Sequence, residues 1–287
     1  MVDTTTPSEP SDFAYRYGRW AVVAGASEGV GSAFADEVAR LGLDVVLLAR
    51  RGEVLEGVAG GIRSRHGVEA ITLTVDLSEP GASARVIDAT DDLEVGLLMY
   101  NAGAAPDYAP FLDSPAESSV AMLQRNCVVP TELCHHFGTA MVGRGRGGII
   151  LVTSGAALAG APNMATYGAT KAYDMILAEA LWAELRDTGV DVLSLMLGET
   201  DTPALRRLRA DLGHTDDPDA PLPGATDVGE VVQDAILHLA DGPSRLANEL
   251  LRDSWSAVFG PQRKELVQLM TDAGAATMGR QEGAEDD

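Results

Sequence analysis

Cysteine is nearly absent from this 287-residue chain: the two present, Cys127 and Cys134, stand seven positions apart in one helical stretch. Seven helical residues span about 10.5 Å along the axis, which excludes a disulfide between them. No Cys/His cluster at metal-ligand spacing lies nearby, so both read as buried apolar residues and no metal is expected. Long hydrophobic runs are missing too. None approaches the ~20 residues that cross a bilayer, so membrane insertion is not expected. Positive charge is scarce, with 21 basic against 43 acidic residues and a formal net charge of −22, which argues against nucleic acid as a partner. Much of that charge is local, since Asp211–Asp219 and the tail Gln281–Asp287 carry four acids each. The opening MVDTTTPSEPSD has neither a basic start nor an apolar stretch, so it reads as neither signal nor transit peptide, and a cytoplasmic location is expected.

What the chain does have is apolar material, 46% of its residues, enough for a large core. The expected organisation is a flexible tail over 1–15, one domain over 16–273, and an acidic flexible tail over 274–287. Strands are expected at 20–24, 44–48, 70–75, 95–100, 149–153, 190–197 and, weakly, 245–251. Helical patterns separate most of them: 53–66, one long helix over 115–141, the helix after the fifth strand to about 187, then 204–212, 227–239 and 262–271. This βα alternation predicts a Rossmann-type doubly wound α/β fold, a parallel sheet of about seven strands with helices on both faces.

The first strand runs into Gly25-Ala-Ser27-Glu28-Gly29-Val30-Gly31 and then a helical pattern. Strand, glycine turn and helix start suit a pyrophosphate, because glycines let backbone N–H groups approach and a helix amino terminus favours an anion; a purely structural turn is the other reading. The second strand ends in Ala49-Arg50-Arg51, where such folds read the adenosine ribose. Two arginines there suit a 2′-phosphate, so NADP(H) is expected, unless the pair is only a solvated helix start. Asp76-Leu77 stands at the adenine edge, and Asn101-Ala102-Gly103 is a small-residue turn against which a nicotinamide ribose could lie. Asn126 sits in the long helix, either exposed or buried around an ordered water. Ser154 closes the fifth strand thirteen positions before Tyr167, and Lys171 follows four later. On one helix face, an ammonium near a phenol favours the phenolate and makes Tyr167 a general acid and base, while a strand-end serine can bind the same oxygen.

In sum the chain resembles the short-chain dehydrogenase/reductase family over roughly residues 19–250. Gly25, Gly29 and Gly31 match its glycine motif, Asp76 its adenine contact, and Asn101-Ala102-Gly103 most of its N-N-A-G. Asn126, Ser154, Tyr167 and Lys171 match its catalytic set, and Gly198 and Thr202, with Thr200 between them, its segment beside the nicotinamide carboxamide. Tyr100 replaces the first asparagine of N-N-A-G, Leu197 replaces a proline, and Glu28 stands where many NADP-dependent members are basic. The resemblance implies reversible hydride transfer between nicotinamide and a carbonyl, with Tyr167 giving the proton, Ser154 binding the oxygen, Lys171 holding the ribose and Asn126 a relay water. It also implies a homodimer or homotetramer. Fragments of the chain look like bacterial 7β-hydroxysteroid dehydrogenases. The substrate loop is placed at 199–226, where Ala204, Leu205, Leu208 and Leu212 form an apolar helix face that is either core packing or a cleft lining with Leu158 and Met164. The second case expects a bulky hydrophobic ketone or alcohol. A 3-oxoacyl-thioester reductase and a non-catalytic nucleotide-binding module are the alternatives.

Overall fold

The computed structural model describes residues 12–103, 109–248 and 251–253. The expected helix at 262–271, the acidic tail and the first eleven residues lie outside that range. Seven parallel strands form one sheet in the order β3-β2-β1-β4-β5-β6-β7, at Ala70–Thr74, Asp44–Ala49, Trp20–Ala24, Val95–Tyr100, Gly147–Ser154, Val190–Leu197 and Ser244–Leu246. The central strands β1, β2 and β4 are buried along their whole length, because helices cover both faces.

Alternation along each strand sorts the core into two layers. Ala21 and Val23 point into a layer completed by α2 (Gly29–Arg40), α3 (Gly52–His66) and α9 (Val228–Leu237), through Phe34, Val38, Leu55, Ile62, Val231 and Val232. Trp20, Val22 and Ala24 point into the other, built with α4 (Ala82–Ala89), α6 (Val129–Arg144) and α7 (Ala165–Leu185). Burying a side chain of this size contributes about 1.5–3 kcal/mol. Strand order reverses between β1 and β4, so the crevice at their carboxyl ends is the topological switch point of the sheet.

Four expectations need correction. Residues 12–15, expected within a flexible tail, are helical, since Asp12–Tyr17 forms α1, whose Tyr17 is buried and donates to Asp191. Helix α4, between β3 and β4, has too short an apolar pattern to stand out in the sequence. Strand β7 stops at Leu246 rather than reaching 251, because only Ser244–Leu246 pair with β6. The long helix expected over 115–141 is in fact α5 (Ala116–Leu123), a π-helical turn (Gln124–Val128) and α6. In that turn the Val129 N–H reaches back to the Gln124 carbonyl, and Pro130, having no N–H, cannot serve the Arg125 carbonyl. The Tyr100 hydroxyl donates to it instead. The departure at position 100 therefore pins β4 to the π turn. Cys127 in that turn is only half-buried, while Cys134 on α6 is buried; burial pushes their thiols up to about 11 and about 12.

Candidate active site

The glycine turn leaves β1 with the Gly25 and Ala26 N–H groups bonded to the Leu48 carbonyl at 2.8 and 3.1 Å. Gly25 has φ +81°, and a Cβ on Gly31 would overlap the Gly25 carbonyl oxygen and stand 2.9 Å from Asn101 Nδ2. Side chains are thus excluded where backbone must crowd backbone. Glu28 occupies the cap position of α2 without capping it, so its side chain leaves the first-turn donors open. An anion can take that place. Of the other loop residues, Ser27 accepts from Arg51 Nη2 at 3.1 Å, and the Val30 side chain is buried in the core.

Glu28 receives two arginines: Arg51 at 3.1 Å and Arg207 at 2.6 Å. Partial burial works against its charge, but both guanidiniums outweigh that and hold its carboxyl below the usual range. Arg50 is exposed at the end of β2. The two arginines read alike in the sequence are therefore unequal, Arg50 open to solvent and Arg51 already engaged. Asp76 accepts from the Ser78 backbone N–H at 2.9 Å and from its hydroxyl; burial opposes ionisation, and these bonds prevail to keep the carboxyl low. Leu77 packs its side chain into the core, which leaves only its backbone groups for a contact with a ligand.

Past β4, the Asn101 N–H donates to the Ala24 carbonyl and its amide to the Gly25 carbonyl, at 3.0 and 3.4 Å, bracing one turn against the other. A Cβ at Ala102's neighbour Gly103, φ +148°, would meet Lys171 Nζ at 2.9 Å and Asn126 Oδ1 at 3.1 Å. Asn126 is fully buried, because the π turn rotates it inward. Its amide donates to Thr170 Oγ1 at 2.9 Å and the Gly103 carbonyl at 3.4 Å, and its oxygen accepts from Arg125 Nε at 3.1 Å.

Ser154 ends β5 and its Oγ accepts from the Ala156 N–H at 3.2 Å. A serine hydroxyl has one hydrogen and two lone pairs, so its O–H stays free for a ligand oxygen. Gly168 lets α7 approach that turn, since a Cβ there would stand 2.9 Å from the Ala156 carbonyl oxygen. Tyr167 is half-buried and lines a hollow with Phe111, Met122 and Met164. Lys171 is 3% exposed. Its ammonium donates to the Val152 carbonyl at 2.8 Å and pairs with Asp174 Oδ2 at 3.1 Å, not with Tyr167. Sequence reasoning missed Asp174. Its signal was an acid three residues beyond the lysine in an otherwise apolar helix stretch.

Thr202 caps α8 (Pro203–Asp211) by accepting from the Leu205 N–H at 3.2 Å, and its methyl would stand 3.2 Å from a Cβ on Gly29. The loop after β6 and the glycine turn thus meet. Thr200 is buried and donates to the Gly198 carbonyl at 3.3 Å, and the Asn248 side chain lies against Gly198. No residue of α8 is buried, and Leu208 and Leu212 are exposed. Core packing is therefore not what its apolar face does.

Residues 19–213 match the family model of the short chain dehydrogenases. A 7β-hydroxysteroid dehydrogenase of Collinsella aerofaciens is 38% identical over 190 residues, 66% of this chain and 72% of that one. Among solved structures, one from a study of 7β-hydroxysteroid dehydrogenase stereoselectivity is 33% identical, with TM-score 0.79 over 90% of this chain and 98% of the other. A short-chain dehydrogenase from Sphingobium yanoikuyae in complex with NADPH is 27% identical, with TM-score 0.73 over 94% and 99%.

Proposed function

This chain belongs to the short-chain dehydrogenase family, and from that premise we propose that it is an NADP(H)-dependent oxidoreductase of a bulky, hydrophobic secondary alcohol or its ketone, hydroxysteroid-like in shape. The observation that carries the reading is one constellation at the carboxyl ends of β1, β4 and β5: an anion cradle, a strand-end serine with a free O–H, a half-buried tyrosine and a buried lysine. The cradle fits a dinucleotide, because a Cβ would fill it at Gly31 and the start of α2 has no side-chain cap. Gly25, Ser27 and Gly29 to Gly31 would hold the pyrophosphate, Arg50 and Arg51 a 2′-phosphate, and Gly198 to Thr202 the nicotinamide end. A bound nicotinamide supplies or takes the hydride.

The chain's own groups manage the oxygen. Ser154 Oγ–H donates to the carbonyl oxygen, and Tyr167 Oη gives it a proton in reduction and takes it back in oxidation. Lys171 contributes positive charge behind Tyr167, and Asn126 fastens the π turn to Gly103 and Thr170. Met122, Met164 and Phe111 beside Tyr167 support an apolar substrate, as do exposed Leu208 on α8 and Leu212 just after it. The relatives whose names specify 7β-hydroxysteroids support the same class, and the NADPH complex supports the cofactor. Exposed Val120, Leu123 and Val128 on α5 and the π turn, with Tyr173 and Ile176 on α7, support a homo-oligomer, which light scattering checks.

The test is kcat/KM with NADPH for steroid ketones against small polar ketones, sugars and 3-oxoacyl thioesters. Preference for any of the latter refutes the hydrophobic substrate. No turnover of any carbonyl, with dinucleotide still bound, leaves a nucleotide-binding regulator.

A further inference from the structure

The charge of Lys171 does not stand alone. Its ammonium and the Asp174 carboxylate are 3.1 Å apart, with side chains 4% and 2% exposed, on adjacent turns of α7. Among the described residues the ammonium also donates to the Val152 carbonyl of β5, and the Thr153 hydroxyl donates to the Lys171 carbonyl, so the helix is stitched to the strand on both sides of the pair. Asp174 Oδ1 is buried without a hydrogen-bond partner. A buried carboxylate with an unsatisfied oxygen is costly, and hydrophobic packing alone would be served better by an apolar residue at that position. Nothing in the proton transfer assigned to Tyr167 requires it.

We infer that Asp174 is a positioning residue for the reaction: it draws the Lys171 ammonium toward β5 and neutralises it, and so sets how much positive charge reaches Tyr167. The inference rests on the acid–base reading of Tyr167 and Lys171. Besides Lys171 on its own helix, the titratable groups facing Asp174 among the described residues are Tyr100 on β4, Cys127 in the π turn and Cys134 on α6. Burial raises all three well above neutrality, so between pH 5 and 8 they stay uncharged. Burial also pushes the Asp174 carboxyl up to about 6, against the opposing pull of Lys171. Above that pH the pair is neutral; below it the lysine is an uncompensated cation.

Asp174→Asn keeps the shape and an acceptor for the ammonium but removes the negative charge. With more positive charge behind Tyr167, the ionising limb of the pH–rate profile for alcohol oxidation moves about one pH unit toward acid. A purely structural residue would change Tm or scale the rate at every pH, leaving that limb in place. A profile superimposable on wild type overturns the inference. If Tyr167→Phe keeps wild-type turnover, the acid–base reading fails; if that variant is dead while the Asp174→Asn limb does not move, the inference alone fails. A second measurement needs no catalysis and covers the case in which Asp174→Asn does not fold. Lys171→Met strands the carboxylate, so its Tm deficit against wild type is greatest above pH 7 and shrinks toward pH 5 as Asp174 takes up a proton. A deficit independent of pH overturns the pairing.

Discussion

Gly31→Ala adds one methyl group at the place where the glycine turn is tightest. The new Cβ would overlap the Gly25 carbonyl oxygen and stand 2.8 Å from the Gly25 carbonyl carbon and 2.9 Å from Asn101 Nδ2. None of these neighbours yields cheaply, because Gly25 is bonded to the Leu48 carbonyl and Asn101 to the Ala24 carbonyl. The first turn of α2 therefore retreats by about 1.4 Å to restore an ordinary separation of roughly 3.5 Å. Overpacking of this kind costs about 1–3 kcal/mol, a fall in Tm of about 2–10 °C for a chain of this size. The same retreat stretches the helix N–H groups away from a bound pyrophosphate. Losing one charge-assisted bond, about 1.5–3 kcal/mol, weakens the dinucleotide about 10- to 150-fold. Nicotinamide fluorescence titration and a thermal melt read both effects, with Gly57→Ala as control. Gly57 lies exposed in α3 with nothing within 4 Å of a Cβ, so that change should stabilise by about 0.5–1 kcal/mol and leave the affinity alone. A Gly31→Ala protein with wild-type affinity would refute the claim that the cradle is set by backbone crowding.

Tyr167→Phe keeps the ring and removes the transferable proton, so kcat should fall by about 10²-fold or more with dinucleotide affinity retained; near-normal turnover in steady-state assays would move the chemistry elsewhere. Replacing Arg50 and Arg51 together with alanine should narrow or reverse a preference for NADPH over NADH in paired binding titrations, and equal wild-type affinities would sink the 2′-phosphate reading. Asp234 is held below the usual carboxylate range first by its hydrogen bonds from Arg245, against partial burial. A lowered folded value contributes stability at neutral pH that is lost as pH falls through it. The Tm difference between wild type and Asp234→Asn should thus be present at neutral pH and shrink below about pH 4; a difference that persists in acid would assign the pair no electrostatic role.

Periodicity and glycine placement were enough to find the strands and the parallel sheet, though not the order of the strands in it, because strands covered on both faces must read as short apolar runs such as Trp20–Ala24 and Val95–Tyr100. The same local rules put Tyr167 and Lys171 on one helix and Ser154 at a strand end. They could not say where a long side chain ends. The Lys171 ammonium lies on β5 and Asp174 because a buried charge goes to whatever acceptor the neighbouring strand and turn supply. Asn126 turned inward because Pro130 follows a π turn, where an unbroken α-helix was expected. Glu28 and Arg207 are 179 positions apart, and only the docking of α8 over the glycine turn makes them partners. Backbone pattern is local and repeats along the chain, so it can be read from the sequence. Charge pairing is a matter of distance in space, and the tertiary structure alone decided it.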